Sequence, residues 1–127
     1  MTPEQMQQRT RQFALRALRL GSSLRPGRVG DAIGRQLVRS GTSVGANYRA
    51  ACRARSTADF VAKLGIVEEE LDESLYWMEL ILDAGIMAEN KLSALMDECR
   101  ELLAVVVASI NTARKGPRKR KMPAERE

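Results

Sequence analysis

The 127-residue sequence predicts an all-α fold: an antiparallel up-down-up-down four-helix bundle with a disordered basic C-terminal tail. Three observations lead there. The composition is dominated by Ala, Leu, Arg and Glu with few aromatics, a balance that favours helix over sheet. Apolar residues recur three and four apart through four successive stretches. The stretches are joined by short breaks, so neighbouring helices should run antiparallel. No strand competes, because the β-prone run Val105-Val106-Val107 continues a helical period.

Each element can be read in order. Thr2 is a candidate N-cap, with Pro3 at the first helical position and Glu4 and Gln5 in the first turn. Met6, Thr10, Phe13, Ala17 and Leu20 then share one face, and Gly21 is the expected end. A second helix begins after Pro26-Gly27 and runs to about Ala54, with Val29, Ile33, Leu37, Ser40, Val44, Asn47 and Ala51 inward. Ser56 and Asp59 resemble a capping box, with Asp in place of Glu. They open a third helix whose seam is Phe60, Leu64, Val67, Leu71, Leu75, Met78 and Leu82, and Gly85 is a natural C′ residue. The fourth helix runs from about Glu89 to about Arg114, with Leu92, Leu95, Met96, Cys99, Leu103, Val106 and Ile110 inward. Residues 1–114 form one domain; residues 115–127 carry two prolines and little to bury, and read as a disordered basic tail.

The net charge of +5 conceals a sharp division. Residues 1–55 hold eleven arginines against Glu4 and Asp31, a balance of +9. Residues 56–113 hold Lys63, Lys91 and Arg100 against twelve carboxylates, a balance of −9, and the last fourteen residues contribute the remaining +5. Histidine is absent, which removes His-based triads, imidazole zinc sites and Glu-x-x-His di-iron ligands. We therefore expect no enzyme, no metal and no cofactor. Cys52 and Cys99 lack metal-type spacing and read as reduced thiols. No apolar run is long enough to span a membrane and no leader pattern opens the chain, so a cytoplasmic protein without membrane contact is expected.

Opposite its apolar stripe, the second helix presents Arg28, Arg35, Arg39, Arg49 and Arg53 within roughly 80° of arc over about 38 Å. Such a row suits the phosphates of RNA or DNA. The polybasic cluster Lys115, Arg118, Lys119, Arg120 and Lys121 suits the same partner without sequence specificity. Alternatives are a solvated face or contact with acidic helices of another copy. On the inner side, Ser40, Gly41, Ser43, Gly45 and Ala46 would let two helices approach closely. The expected polar network joins Ser40, Ser43 and Asn47 to Glu70, Glu73 and Tyr76. A general acid/base pair at Glu70 and Glu73 is the weaker reading, since no nucleophile joins them. Leu15, Leu18, Ile66, Trp77 and Ile81 lie off the main seams and are the candidate oligomer interface.

Gln36-Leu37-Val38-Arg39-Ser40, Ser43-Val44-Gly45-Ala46-Asn47-Tyr48, Arg53-Ala54-Arg55-Ser56, Phe60, Lys63-Leu64, Glu70, Asp72-Glu73-Ser74-Leu75-Tyr76-Trp77 and Ala108-Ser109-Ile110 form a specific set of segments. Through them, over roughly residues 10–114, the chain resembles the 23S rRNA-intervening sequence protein family. One departure stands out: Ala50 and Ala51 occupy the region where the family pattern has a glutamate. The family is similar to the accessory protein of diversity-generating retroelements. That resemblance implies self-association, with a pentamer favoured, and a protein partner such as a reverse transcriptase. Two functions are thus expected to compete: a homo-oligomeric module binding RNA or DNA, and a protein-interaction scaffold whose basic face is used between subunits.

Overall fold

The computed structural model describes the main chain of residues 1–124 and the side chains of residues 1–116. It consists of α1 (Pro3–Ser23), α2 (Arg28–Ala51), α3 (Thr57–Asp83) and α4 (Glu89–Ala124). α2 packs against α1 and α3, α4 packs against α3, and a thinner α1–α4 contact closes the ring. No contact crosses either diagonal among the described residues, so this is the up-down-up-down arrangement. The tail expectation on Arg118, Lys119, Arg120 and Lys121 lies outside the residues whose side chains are described.

Local chemistry sets the helix ends. Thr2 Oγ1 accepts from the Gln5 amide at 3.1 Å, and the Gln5 side chain accepts from the Thr2 amide at 2.8 Å, a complete capping box. Ser56 caps α3 through the Asp59 amide at 3.0 Å, but the box is not reciprocated: the Asp59 carboxylate takes Lys63 Nζ at 2.8 Å instead. Gly85 ends α3 in the left-handed region at φ 71°, where a Cβ would be strained. Its amide returns to Leu82 and that of Ile86 to Ile81, closing a Schellman motif. Gly21 does not end α1. The helix continues to Ser23, and the glycine is needed for closeness: a Cβ there would sit 2.6 Å from Val38 Cγ2.

The core follows a heptad spacing, the alternation of threes and fours that keeps one stripe facing its neighbours. On α1 the buried stripe is Met6, Thr10, Phe13, Ala17 and Leu20, as expected. On α2 it is Gly30, Gly34, Leu37, Gly41, Val44, Tyr48 and Ala51, joined by Ser40. This moves Val29 outward, to 64% exposure, and leaves Ile33 and Asn47 half-buried. On α3 the stripe is Leu64, Val67, Leu71, Ser74, Met78 and Ile81. Leu102 takes the place expected of Leu103 on α4. Cys99 lies at the centre of the core, where burial pushes its thiol up to about 12 and its sulfur finds the Leu71 carbonyl at 3.1 Å.

Candidate nucleic-acid interface

Because chain neighbours are also packing neighbours, the charge division along the sequence becomes a division across the bundle. α1 and α2 form a basic layer, and α3 with the part of α4 up to Ala113 an acidic one. The layers meet at two seams, and each is bridged the same way. At the α1–α4 seam, Arg9 Nε and Nη2 donate to Glu98 at 3.0 and 2.6 Å, and Nη2 reaches Glu101 at 3.1 Å. At the α2–α3 seam, Arg39 donates to Glu70 at 3.4 Å and to Glu73. In both places one guanidinium spans two glutamates three residues apart, the spacing that places both on one helix face. The hydrogen bond from Arg39, then that from Trp77 Nε1 at 3.0 Å, hold the Glu73 carboxyl below the ordinary glutamate range.

Arg39 therefore does not stand with the other arginines of its row as a free cation. Arg28, Arg35, Arg49 and Arg53 do: all four are exposed, and no carboxylate among the described residues is in ion-pairing range of them. The same holds for Arg11, Arg19, Arg25 and Arg55, exposed on the same layer and outside the original expectation. Lys115, on α4, is exposed.

The expected polar network is smaller than its candidate residues. Ser40 and Ser74 are both fully buried with hydroxyl oxygens 2.8 Å apart. The Glu70 carbonyl lies 2.8 Å from Ser74 Oγ and the Leu37 carbonyl 3.3 Å from Ser40 Oγ. Whichever hydroxyl donates across the seam, the other keeps a main-chain acceptor. Ser74 was not among the residues expected here, although it lies in the Glu73-to-Trp77 motif. Ser43 and Asn47 stay on their own helix: Ser43 donates to the Arg39 carbonyl at 2.7 Å and Asn47 to the Ser43 carbonyl at 2.8 Å. Glu70 and Glu73 serve Arg39, and Tyr76 is 52% exposed, edge-on to Trp77 at 5.2 Å. Ala51 is buried and Ala50 half-buried, so neither supplies a polar group.

Of the candidate interface positions, Leu18 and Ile66 are exposed, while Leu15 and Trp77 are half-buried. Ile81 is the exception. It is fully buried within the bundle because the heptad phase of α3 carries it onto the seam, so it has no surface to offer another subunit.

Comparison with known proteins agrees with this architecture. The profile of the 23S rRNA-intervening sequence protein family matches residues 4–108. A crystal structure of a protein of unknown function from the S23 ribosomal protein family of Bacteroides thetaiotaomicron superposes with a TM-score of 0.79 at 30% identity. That match covers 88% of this chain and all of the other. No curated protein matches the chain. The four-helix arrangement and the extent of the profile match lead to one assignment: the chain belongs to the 23S rRNA-intervening sequence protein family.

Proposed function

We propose that this protein is a non-enzymatic, homo-oligomeric module that binds RNA or DNA through the outer surface of its α1–α2 layer. The observation that carries this reading is the set of exposed arginines on that layer without acidic partners among the described residues. Guanidinium groups on a helical scaffold suit phosphate oxygens, and release of counterions makes such binding salt-sensitive. Base recognition has little to work with. The aromatics of this layer, Phe13 and Tyr48, are both buried, so stacking platforms are missing and sequence preference is weak. Glu70 and Glu73 fit poorly as a proton-transfer pair, because Arg39 binds both and favours the ionised form of Glu73. The pentameric state rests on the family resemblance, with Leu15, Leu18, Ile66 and Trp77 as contacts.

Fluorescence anisotropy with labelled structured RNA is the direct test. Binding at low salt that weakens steeply as salt rises is expected; no binding at low salt sinks the proposal.

The second reading is a protein-interaction scaffold or accessory subunit, for example of a reverse transcriptase, with the basic layer consumed in subunit contacts. The exposed carboxylates Glu69, Asp72, Glu79 and Asp83 of α3 favour it, since they would meet the arginines of a neighbouring copy. Sedimentation across a salt series separates the two. Dissociation by salt supports arginine-to-carboxylate contacts, whereas a salt-resistant oligomer leaves the basic layer free.

A further inference from the structure

We infer that the recess between α1 and α2 at the Gly45 end seats the phosphate backbone of single-stranded nucleic acid. This inference rests on the nucleic-acid reading above and assigns it a place and a strand type. At Gly45 the two helices are so close that an added Cβ would lie 3.3 Å from the Thr10 carbonyl oxygen. Just outside that contact lies a cleft of about 650 Å³, lined in part by Ala14, Gly45 and Ala46.

Its lining also includes Arg11 from α1, Arg49 from α2 and Arg53 just past the end of α2, against a single carboxylate, Glu4. Arg11, Arg49 and Arg53 are all exposed and have no acidic partner in ion-pairing range among the described residues. Three unneutralised guanidiniums lining one concave space differ from a row of solvated side chains. Each repels the others until an anion enters, and each presents a planar fork that matches phosphate oxygens. Arg28 and Arg35 lie outside the cleft, with Arg35 about 21 Å along α2 from Arg49.

The shape of the recess selects the strand type. A duplex is a convex cylinder whose phosphates would ride on the ridges of the two helices. A single strand can lower its backbone between them, where arginines from both helices reach it. Gln7 and Gln8 also line the cleft, and their amides can both donate to and accept from base edges, so they serve any base without selecting one.

The test uses the full chain, a labelled short oligo-uridine, and the duplex of that strand with oligo-adenosine. Wild type should bind the strand more tightly than the duplex. Replacing Arg11, Arg49 and Arg53 together by Gln should weaken strand binding at least tenfold. It should also make the slope of log affinity against log salt shallower by about 2, from three lost phosphate contacts at roughly 0.7 each. Ala46→Trp fills the cleft without changing charge and should weaken the strand several-fold. Glu4→Gln should tighten it. If the triple variant loses its helical circular dichroism, the two single variants carry the test alone. Strand binding unaltered in Ala46→Trp, or lost only in an Arg28→Gln/Arg35→Gln variant, overturns the cleft while leaving the broader reading intact. Tighter binding of the duplex overturns the strand preference, and no binding of either probe by wild type removes both readings.

Discussion

The α1–α2 and α3–α4 pairs are both antiparallel and both heptad-spaced, yet they are held together in different ways. Between α1 and α2, small residues meet main chain. A Cβ on Gly41 would lie 2.5 Å from the Ala17 Cβ, one on Gly34 would lie 3.3 Å from the Gly21 carbonyl, and Gly45 faces the Thr10 carbonyl. From α3 and α4, by contrast, Leu64, Leu71, Met78 and Ile81 and Leu92, Leu102 and Val106 enter the core, all fully buried. Close approach lets main-chain dispersion contacts stand in for side-chain volume, but it tolerates no added atoms. Large side chains bury more apolar area and can repack when one is altered.

Substitutions at two glycines test that contrast. The largest effect is expected for Gly41→Ala. Overpacking costs about 1–3 kcal/mol, and the helix-propensity gain of about 1 kcal/mol offsets only part of it. Urea unfolding should show a net loss, and adding Ala17→Gly should recover some of it as a non-additive coupling. A Gly41→Ala protein more stable than wild type would mean that the close approach is not required. The opposite sign is expected for Gly65→Ala on α3. Nothing lies within 4 Å of the added Cβ, so the helix should gain about 0.5–1 kcal/mol. A destabilised variant there would show that α3 is as crowded as α2.

The smallest effect is spectroscopic. Trp77 is the sole tryptophan and donates to Glu73, which makes it a reporter of the α2–α3 seam. The folded-state pKa of Glu73 is depressed, so its contribution is fully present above the ordinary glutamate value. It is lost as pH falls through the depressed value. Trp77 emission should therefore change in acid below the ordinary glutamate range, and Glu73→Gln should remove that transition. Emission that is flat until the whole chain unfolds would count against the coupling.

Much of the fold was legible because helix signals are local. Thr2, Ser56 and Gly85 each act through main chain within five residues, and the α1 stripe was complete. The errors share two causes. An ideal 3.6-residue period drifts about 20° per heptad from the 3.5 spacing of a bundle seam. By the second half of α3 this substitutes Leu75 and Leu82 for the buried Ser74 and Ile81. Glycine has no side chain to count, so an apolar pattern does not mark Gly30 and Gly34 as core, and Gly21 reads as a helix end although α1 runs to Ser23. At the candidate site, the arginines were legible as a row on one helix face. The sequestration of Arg39 was not, because it depends on how α2 aligns with residues more than thirty positions away. The Arg9 bridge had a faint signal, since Glu98 and Glu101 repeat the spacing of Glu70 and Glu73.

The Arg39 bridge has a consequence for alignment. Helices with heptad seams can slide past one another by seven residues, about 10.5 Å, and still bring apolar layers together. Such a slip of α3 along α2 would bring either Lys63 and Ile66 or Trp77 and Leu80 to Arg39, in place of its two glutamates. The same slip would set Val67 or Ile81 against Ser40 and remove the hydroxyl that now faces it. One exposed guanidinium and one buried serine pair thus discriminate among sliding states that apolar packing alone would leave close in energy.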